Sequence, residues 1–284
     1  MGNNTDENRD KNRSHYEKLY EGQSIDNILV WLRDVDKFLL RSQAKDTSWN
    51  ALYRQNFKDR LAGKRVVELG CGDCVNAAIM AALGAEVYAN DIAKASGVII
   101  DKLNAAYDFK FPIKYVEGDF LKNNLKSNQF DFVIGKAFLH HLTIEEEKEF
   151  LKETARLLKD QGEARFFEPA VNSRILDEIR WIIPVKGRPS KLNKNKFKIW
   201  KENDPHPDRS FSSRHFTKAS KGIFNEVQII PVGALERFSR IIPYGGLNTK
   251  YRIWALNAEN KIPSRINKYL TRSQLIIYKK PIQK

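Results

Sequence analysis

The feature of this sequence that most constrains its fold is a short apolar run at residues 66–69 that leads directly into two glycines, Gly70 and Gly72. Glycines at this spacing let the backbone turn sharply and approach a ligand that a Cβ atom would exclude. Apolar residues then recur at helical spacing over residues 76–83. This part of the chain therefore predicts a strand, a glycine turn and a helix in direct succession.

The same alternation continues along the chain. Further apolar runs predict four more strands, at residues 86–89, 113–116, 130–134 and 164–167, and residues 144–158 have the spacing of a helix. Strands that alternate with helices imply right-handed crossovers and a mainly parallel sheet, which binds its ligands beyond the carboxyl ends of the strands. We therefore expect the functional residues in the loops that follow the strands.

The segments on either side of this alternation have other patterns. Residues 16–61 carry apolar side chains at helical spacing, which predicts two or three helices ahead of the sheet. Beyond Pro169 the alternation weakens, and a Lys/Arg-rich tract interrupted by glycine and proline predicts a loop or an inserted lid at residues 186–201. Later apolar runs predict further strands of the same sheet, at residues 227–232, 252–256 and 275–278.

Charge divides the chain into two unequal parts. Residues 1–170 hold 25 basic and 27 acidic side chains, whereas residues 171–284 hold 24 and 8. Such an imbalance indicates either that the second part meets an acidic partner, such as a phosphate, a carboxylate, nucleic acid or an anionic membrane surface, or that it is a solvated basic surface.

Composition excludes several classes of protein. With 42% apolar and 30% charged residues the chain is typical of a folded protein rather than a disordered one. It has neither the apolar core of a secretory signal near its first residues nor a run approaching the roughly 18 apolar residues of a membrane span, so we expect a cytoplasmic protein. The two cysteines, Cys71 and Cys74, have no second pair to complete a zinc site, and we expect no metal.

Carboxylates follow two of the predicted strands. Asp91 stands about 20 residues beyond the glycine turn, where a carboxylate can accept hydrogen bonds from both hydroxyls of a ribose. Asp119 and Phe120 follow the third strand and offer a carboxylate for an adenine amino group beside an aromatic ring. A dinucleotide-binding loop would need a third glycine where this chain has Val75, which disfavours a nicotinamide cofactor.

As an ordered set, these segments resemble the class I methyltransferases that use S-adenosylmethionine (SAM). The resemblance covers roughly residues 60–168, and it rests on the Glu-x-Gly-x-Gly loop at residues 68–72, the acid at Asp91, the Gly-Asp pair at residues 118–119, and the Phe-Asp-Phe-Val strand that leads to His-His-Leu at residues 140–142. The resemblance implies SAM as cofactor and S-adenosylhomocysteine as product.

The resemblance also implies roles for individual residues. Glu68, Gly70 and Gly72 would surround the amino acid part of SAM, and Lys136 and Ala137 would lie beneath the sulfonium. A stretch around Tyr16 and Tyr20 resembles a first helix whose aromatic residues close over the cofactor, although core packing explains it almost as well. The expected cofactor-binding residues are Tyr16, Glu68, Gly70, Cys71, Gly72, Asp91, Ile92, Asp119, Phe120 and Lys136.

The fold predicted on these grounds is Rossmann-like α/β, with a mainly parallel seven-stranded sheet, N-terminal helices and a basic C-terminal insertion or lid. We divide the chain into an N-terminal helical cap at residues 1–60, a SAM-binding core at 61–170, a basic substrate-binding insertion or lid at 171–226, and the remaining strands with a C-terminal tail at 227–284.

Methyl transfer from a sulfonium is an in-line displacement, so the protein mainly aligns the acceptor and excludes water. A hydroxyl acceptor needs a base, for which a histidine is the natural candidate. The candidate catalytic residues are His141, His140 and His206. Loops after the fifth strand and in the basic segment supply the candidate substrate-binding residues, which are Glu168, Asn172, Arg209 and His215.

The sequence therefore predicts a SAM-dependent methyltransferase acting on an oxygen or nitrogen of a small, anionic or hydroxylated metabolite. Two alternatives remain open, namely an RNA methyltransferase that uses the basic C-terminal half with Trp181, Phe197 and Trp200 as stacking residues, and a SAM-binding protein without turnover. Peripheral contact with an anionic membrane through residues 179–185 is a further option. The sequence determines neither the acceptor nor the oligomeric state.

Overall fold

The computed structural model describes residues 13–185, 187–203 and 211–283. Seven strands form its sheet: β1 Arg65–Leu69, β2 Glu86–Asp91, β3 Lys114–Glu117, β4 Phe130–Lys136, β5 Leu158–Pro169, β6 Phe224–Val232 and β7 Ser273–Pro281. The helices up to β5 are α1 (residues 13–20), α2 Asp26–Leu32, α3 Val35–Lys45, α4 Thr47–Leu52, α5 Val75–Ala82, α6 Lys94–Ala106 and α7 Ile144–Leu157. Those after β5 are α8 Arg174–Ile182, α9 Lys194–Glu202, α10 Ser213–Ala219, α11 Gly246–Glu259 and α12 Ser264–Leu270.

The strands lie in the order β3-β2-β1-β4-β5-β7-β6. The first five pair in parallel, whereas β7 runs antiparallel between β5 and β6. The chain reverses direction beside β1, where it passes from β3 at one edge to β4 on the other side. At such a switch point the loops after neighbouring strands diverge and leave a crevice for a ligand. The prediction of a Rossmann-like, mainly parallel seven-stranded sheet is confirmed.

Both faces of the sheet are buried, which explains the nearly continuous apolar strands. Successive residues of a strand point to opposite faces. Val66 accordingly packs in a core that includes α2 to α6, while Val67 and Leu69 pack in a second core that includes α7 and α10. The N-terminal helices therefore cover one face, and α7 covers the other.

Local signals fix where α7 begins. Thr143 accepts a hydrogen bond from the backbone N–H of Glu146, and the Glu146 carboxylate accepts one from the backbone N–H of Thr143. This reciprocal capping box satisfies two N–H groups that the helix itself leaves without partners. The helix therefore begins directly after the histidine pair of the β4 loop and fixes the far end of that loop.

One prediction for the C-terminal half was wrong. Residues 252–256 belong to helix α11 rather than to a strand, because the apolar side chains that are buried there, Ala255 and Leu256, are neighbours on one helical face and Trp254 is exposed. The tract at residues 186–201 is helical from Lys194 onwards, where the Asn193 side chain caps α9. At the other end of the chain, residues 13–60 form four α-helices and a short 3₁₀ helix, more than the two or three predicted.

Among the described residues, no helix combines the length and the apolar character that crossing a membrane requires.

Candidate functional site

A cleft of about 410 Å³ opens where β1, β2 and β4 end. This volume lies within the range of about 300–1,000 Å³ typical of small-molecule sites. The loops after these three strands and after β3, together with α1 and α7, supply its walls. Its lining residues are Tyr16, Tyr20, Gly70, Gly72, Asn90, Asp91, Ile92, Gly118, Asp119, Phe120, Lys136, Ala137, Phe138, His140, His141, Leu142, Glu146 and Phe150.

The glycine loop after β1 cannot accept side chains. Gly70 and Gly72 have φ values of +62° and +53°, in the left-handed region that disfavours residues with a Cβ atom. A Cβ on Gly70 would lie 2.6 Å from the Phe138 ring, and one on Gly72 would lie 2.6 Å from the Tyr20 hydroxyl. Glycine therefore keeps the loop backbone exposed to the cleft, with aromatic residues packed directly against it.

Asp91, the last residue of β2, is 7% exposed and faces this loop. Its two carboxylate oxygens accept hydrogen bonds from the backbone N–H groups of Gly72, at 2.8 Å, and Ala93, at 2.9 Å. Burial raises the pKa of Asp91, whereas these backbone hydrogen bonds oppose the rise. Each oxygen retains a further lone pair, so the carboxylate can still accept hydrogen bonds from a ligand.

Two predicted cofactor residues of the same loop do not line the cleft. Glu68 is 2% exposed and accepts a hydrogen bond from Asn76 Nδ2 at 2.8 Å, and burial raises its pKa to about 8. Cys71 is 4% exposed, its sulfur lies 3.8 Å from that of Cys74, and burial raises the pKa of its thiol. Both side chains are buried on the side of the loop that faces away from the cleft.

The next loop brings a carboxylate and an aromatic ring to the cleft, as predicted. Asp119 caps the short 3₁₀ helix Phe120–Lys122, and its Oδ1 accepts a hydrogen bond from the backbone N–H of Leu121 at 3.0 Å. Phe120 is 1% exposed and packs against Phe150, with ring centroids 5.4 Å apart. Its ring is therefore held at one orientation in the cleft wall.

Lys136 and Ala137 follow at the end of β4. The Lys136 ammonium lies 4.9 Å from the centre of the Trp49 ring, which is a cation–π contact. Ala137 has a φ of +59°, a conformation that costs energy for a residue with a side chain. Its N–H donates to the Phe167 carbonyl oxygen at 2.8 Å, and this bond holds the strained turn against β5.

The two histidines of the β4 loop have different partners. His140 Nδ1 lies 2.8 Å from Glu168 Oε2. Glu168, at the end of β5, is completely buried and also accepts hydrogen bonds from the backbone N–H groups of Phe138, Leu139 and His140. Its carboxylate therefore fixes both the loop and the His140 ring, a role different from the acceptor contact predicted for it.

His141 contacts α1 instead. Its Nε2 lies 3.3 Å from the Tyr16 hydroxyl, and burial together with the charge of Asp91 raises the pKa of Tyr16. The rings of Tyr16 and Tyr20 stack with centroids 5.8 Å apart. Glu17 anchors this helix to the start of α6 by accepting a hydrogen bond from the Ala95 N–H at 3.1 Å. Helix α1 thus lies over the cleft with two tyrosines facing inward.

The remaining predicted substrate residues lie elsewhere. Asn172 bonds to the Ser213 hydroxyl and to the Lys268 carbonyl oxygen, and thereby joins the loop after β5 to α10 and α12. His215 Nε2 lies 2.7 Å from Glu147 Oε2 on α7. Neither residue lines the cleft. His206 and Arg209 fall outside the described residues, and their assignments stay predictions.

Several lining residues were not predicted as site residues. Tyr20, which the resemblance placed near the cofactor but which was not among the expected binding residues, follows Tyr16 by four residues and so shares its helical face. Phe138, Leu142 and Glu146 lie in or next to the β4 loop. Phe150 reaches the cleft from α7, and no local signal in the sequence distinguishes it from an ordinary core residue.

Comparison with known proteins agrees with this geometry. Residues 67–166 match the family model of the methyltransferase domain, and no curated protein sequence matches the chain. The phosphoethanolamine N-methyltransferase 1 of Haemonchus contortus, in complex with phosphoethanolamine and S-adenosylhomocysteine, is a structural match with a TM-score of 0.55 and 15% identity over 98% of this chain and 50% of its own. Phosphoethanolamine N-methyltransferase 2 of the same nematode matches with a TM-score of 0.53 and 14% identity, over 92% of this chain.

A third structure is similar over nearly its whole length. The putative methyltransferase of Haloferax volcanii, in complex with the Trm112 methyltransferase activator, has a TM-score of 0.51 and 15% identity over 92% of this chain and 99% of its own. By contrast, the chain spans 61% of the nematode phosphoethanolamine N-methyltransferase 2. At these identities the likeness shows the fold alone. The match of residues 67–166 to the methyltransferase domain model, the strand order and the glycine loop thus agree with the predicted resemblance to class I SAM-dependent methyltransferases over this part of the chain.

Proposed function

We propose that this protein transfers the methyl group of SAM to an oxygen or nitrogen of a small, anionic or hydroxylated metabolite. One observation carries the proposal: a single cleft of suitable volume is lined by the glycine loop, by Asp91, by Asp119 with Phe120, by Lys136 and by two histidines. A binding protein without turnover would need the first of these features but not the histidines.

The lining residues fit the parts of SAM. Gly70 and Gly72 leave room for the amino acid part next to exposed backbone, and Asp91 offers carboxylate oxygens to the ribose hydroxyls. Asp119 would accept from the adenine amino group, with Phe120 beside the ring. When bound, SAM supplies an electrophilic methyl group, and the protein orients the acceptor for an in-line displacement and excludes water.

The geometry favours His140 over His141 as the base. A carboxylate only accepts hydrogen bonds, so the 2.8 Å contact with Glu168 places a proton on His140 Nδ1 and leaves Nε2 as the basic nitrogen. This is the arrangement in which a buried acid orients a histidine base. His141 Nε2 instead already contacts the Tyr16 hydroxyl of α1, at 3.3 Å.

Binding of the cofactor is tested by titrating S-adenosylhomocysteine into the protein in a calorimeter. Asp91→Ala should weaken binding by more than about tenfold, since it removes two charge-assisted acceptors from the ligand. Asp101→Ala, at an exposed position of α6, serves as the matched control. Unchanged affinity in Asp91→Ala, with its circular dichroism spectrum preserved, would contradict the cofactor assignment.

The acceptor class is tested by incubating the protein with methyl-labelled SAM and a fractionated cell extract. We expect label in the small-molecule fraction. Label in the RNA fraction would instead support the alternative of an RNA methyltransferase, and label in no fraction would support a binding protein.

One feature of the basic half counts against the RNA alternative. Trp181, Phe197 and Trp200 pack against one another, with ring centroids 5.6–5.9 Å apart. Base stacking needs ring faces that are open to solvent. These three rings instead join α8 to α9 as a small apolar cluster.

A further inference from the structure

A second cleft, of about 620 Å³, adjoins the first and is called the basic cleft here. It lies between α2, α3, the start of α5 and the end of β4. Its lining residues are Val30, Trp31, Arg33, Asp34, Lys37, Phe38, Arg41, Ser42, Lys45, Asp46, Trp49, Asp73, Val75 and Lys136. Lys136 lines both clefts, so a ligand in the basic cleft can reach the turn beneath the cofactor.

Five cations line the basic cleft, and four of them come from one short stretch of chain. Lys37, Arg41 and Lys45 follow one another at intervals of four residues along a single face of α3, and Arg33 lies just before this helix. Within the described residues, none of these four cationic side chains has a carboxylate oxygen within 4 Å of its charged nitrogen atoms. Like charges at this spacing destabilise a helix, so an anion that binds among them relieves a repulsion.

The three acids of the basic cleft are already engaged by the backbone. Asp34 accepts from the Lys37 N–H at 3.0 Å, Asp46 from the Ser48 N–H at 2.9 Å, and Asp73 from the Val75 N–H at 3.2 Å. Each carboxylate is thus held at the start of a helix, where the helix dipole also favours it. These acids shape the ends of the cleft and leave its α3 wall positive.

Aromatic rings form the floor of the basic cleft. Trp31 and Phe38 stack with centroids 5.0 Å apart, and Phe38 meets Trp49 edge to face, also at 5.0 Å. Lys136 lies over Trp49 at the side nearest the cofactor cleft. An elongated ligand can therefore place an apolar body against the half-buried Trp31 and Phe38, between the α3 cations and Lys136.

We propose that the basic cleft is the acceptor site and that the acceptor is a phosphorylated small molecule. This inference rests on the proposed function. The phosphate group binds Lys37 and Arg41 with Arg33 and Lys45 nearby. The body of the acceptor lies against the half-buried side chains of Trp31 and Phe38, and its reacting atom points past Lys136 toward the cofactor. A dianionic group suits this wall because several cations can share its charge, and arginine and phosphate match in geometry.

The test uses phenyl phosphate as probe and phenol as its uncharged counterpart, each titrated calorimetrically into the full-length protein with and without S-adenosylhomocysteine. The wild type should bind phenyl phosphate and not phenol. The double substitution Lys37→Gln with Arg41→Gln should weaken phenyl phosphate binding by at least about tenfold, the equivalent of one lost charge-assisted hydrogen bond. A control double substitution, Lys102→Gln with Lys218→Gln, removes the same charge at exposed positions away from the cleft and should leave the affinity unchanged.

The outcomes separate this inference from the proposed function. Equal affinity of both double variants for phenyl phosphate, or a wild type that binds S-adenosylhomocysteine but not phenyl phosphate, would overturn the basic cleft as a phosphate site and leave cofactor binding intact. Failure of the wild type to bind S-adenosylhomocysteine would overturn the proposed function, and the phenyl phosphate titration without that ligand would still decide whether the cleft binds phosphate. Because all four substituted side chains are exposed, the variants should fold as the wild type does.

Discussion

Replacing Glu68 with glutamine should remove a loss of stability that the wild type suffers as the pH rises. Glu68 is 2% exposed, and burial raises the pKa of its carboxyl from the ordinary 4.5 to about 8. Between these values the folded protein keeps a proton that the unfolded chain has released. Stability linked to this group is therefore complete below about pH 4.5 and declines up to about pH 8.

The magnitude follows from the two pKa values. Each pH unit within this window costs about 1.4 kcal/mol of unfolding free energy, so the full interval corresponds to a loss of about 5 kcal/mol. Glutamine has nearly the same shape and cannot ionise. Its carbonyl oxygen can still accept the hydrogen bond that Asn76 Nδ2 donates to Glu68 Oε1 at 2.8 Å.

The assay is urea unfolding of both proteins at intervals from pH 5 to pH 9. The difference between wild type and Glu68→Gln isolates this carboxyl, because the other titrating groups are common to both chains. We expect the difference to move in favour of the variant by several kcal/mol across this range. Glu117→Gln, at an exposed position in β3, should show no such trend. A difference that stays constant from pH 5 to pH 9 would refute the reasoning.

Three further predictions test the site. Gly72→Ala should weaken binding of S-adenosylhomocysteine by more than about tenfold because its Cβ would clash with Tyr20, whereas Gly63→Ala, equally left-handed but in open space, should leave calorimetric affinity unchanged. His140→Gln and Glu168→Gln should each lower the rate of labelled methyl transfer by about 10²- to 10⁴-fold, with cofactor affinity retained. Variant rates equal to the wild-type rate would mean that another group acts as the base. Both buried cysteines should react with a thiol reagent only after unfolding, and rapid labelling of the native protein would contradict their burial.

Much of the cofactor side of the site could be predicted from the sequence. The strand β1, its glycine turn and the following helix are encoded within a dozen residues, because each depends on local apolar spacing and on backbone freedom at Gly70 and Gly72. Asp91, Asp119 and Lys136 could be placed in one cleft without a structure, since parallel strands bring their carboxyl ends to the same edge of a sheet.

The histidine side of the cleft could be predicted only in part. The position of the histidine pair follows from its place directly after β4, but the sequence gives no reason to prefer His140 as the proposed base. That preference comes from Glu168, which lies 28 residues further along the chain and contacts the histidine because β5 pairs with β4 in one particular register. Parallel strands are joined by a long crossover rather than a tight turn, so the residues around His140 alone do not determine which residue of β5 lies beside them.

Local pattern also failed where packing decides between helix and strand. Residues 252–256 have an apolar run that suits a strand, yet they form part of α11, where Arg252 pairs with Glu236 at 3.0 Å and Ala255 and Leu256 are buried. A short apolar run fits either structure, and the partners available in the folded molecule determine which one forms.

The sequence by itself thus determined the alternation of strands and helices from β1 to β5, the glycine loop and the acids at the strand ends, since all of these depend on neighbouring residues. Only the tertiary structure decided that Tyr16 meets His141 across 125 residues, that Glu168 orients His140, and that the cations of α3 line a cleft joined to the cofactor site at Lys136. Contacts between remote segments arise when amphipathic elements bury their apolar faces together, and the geometry of that packing is a property of the whole chain.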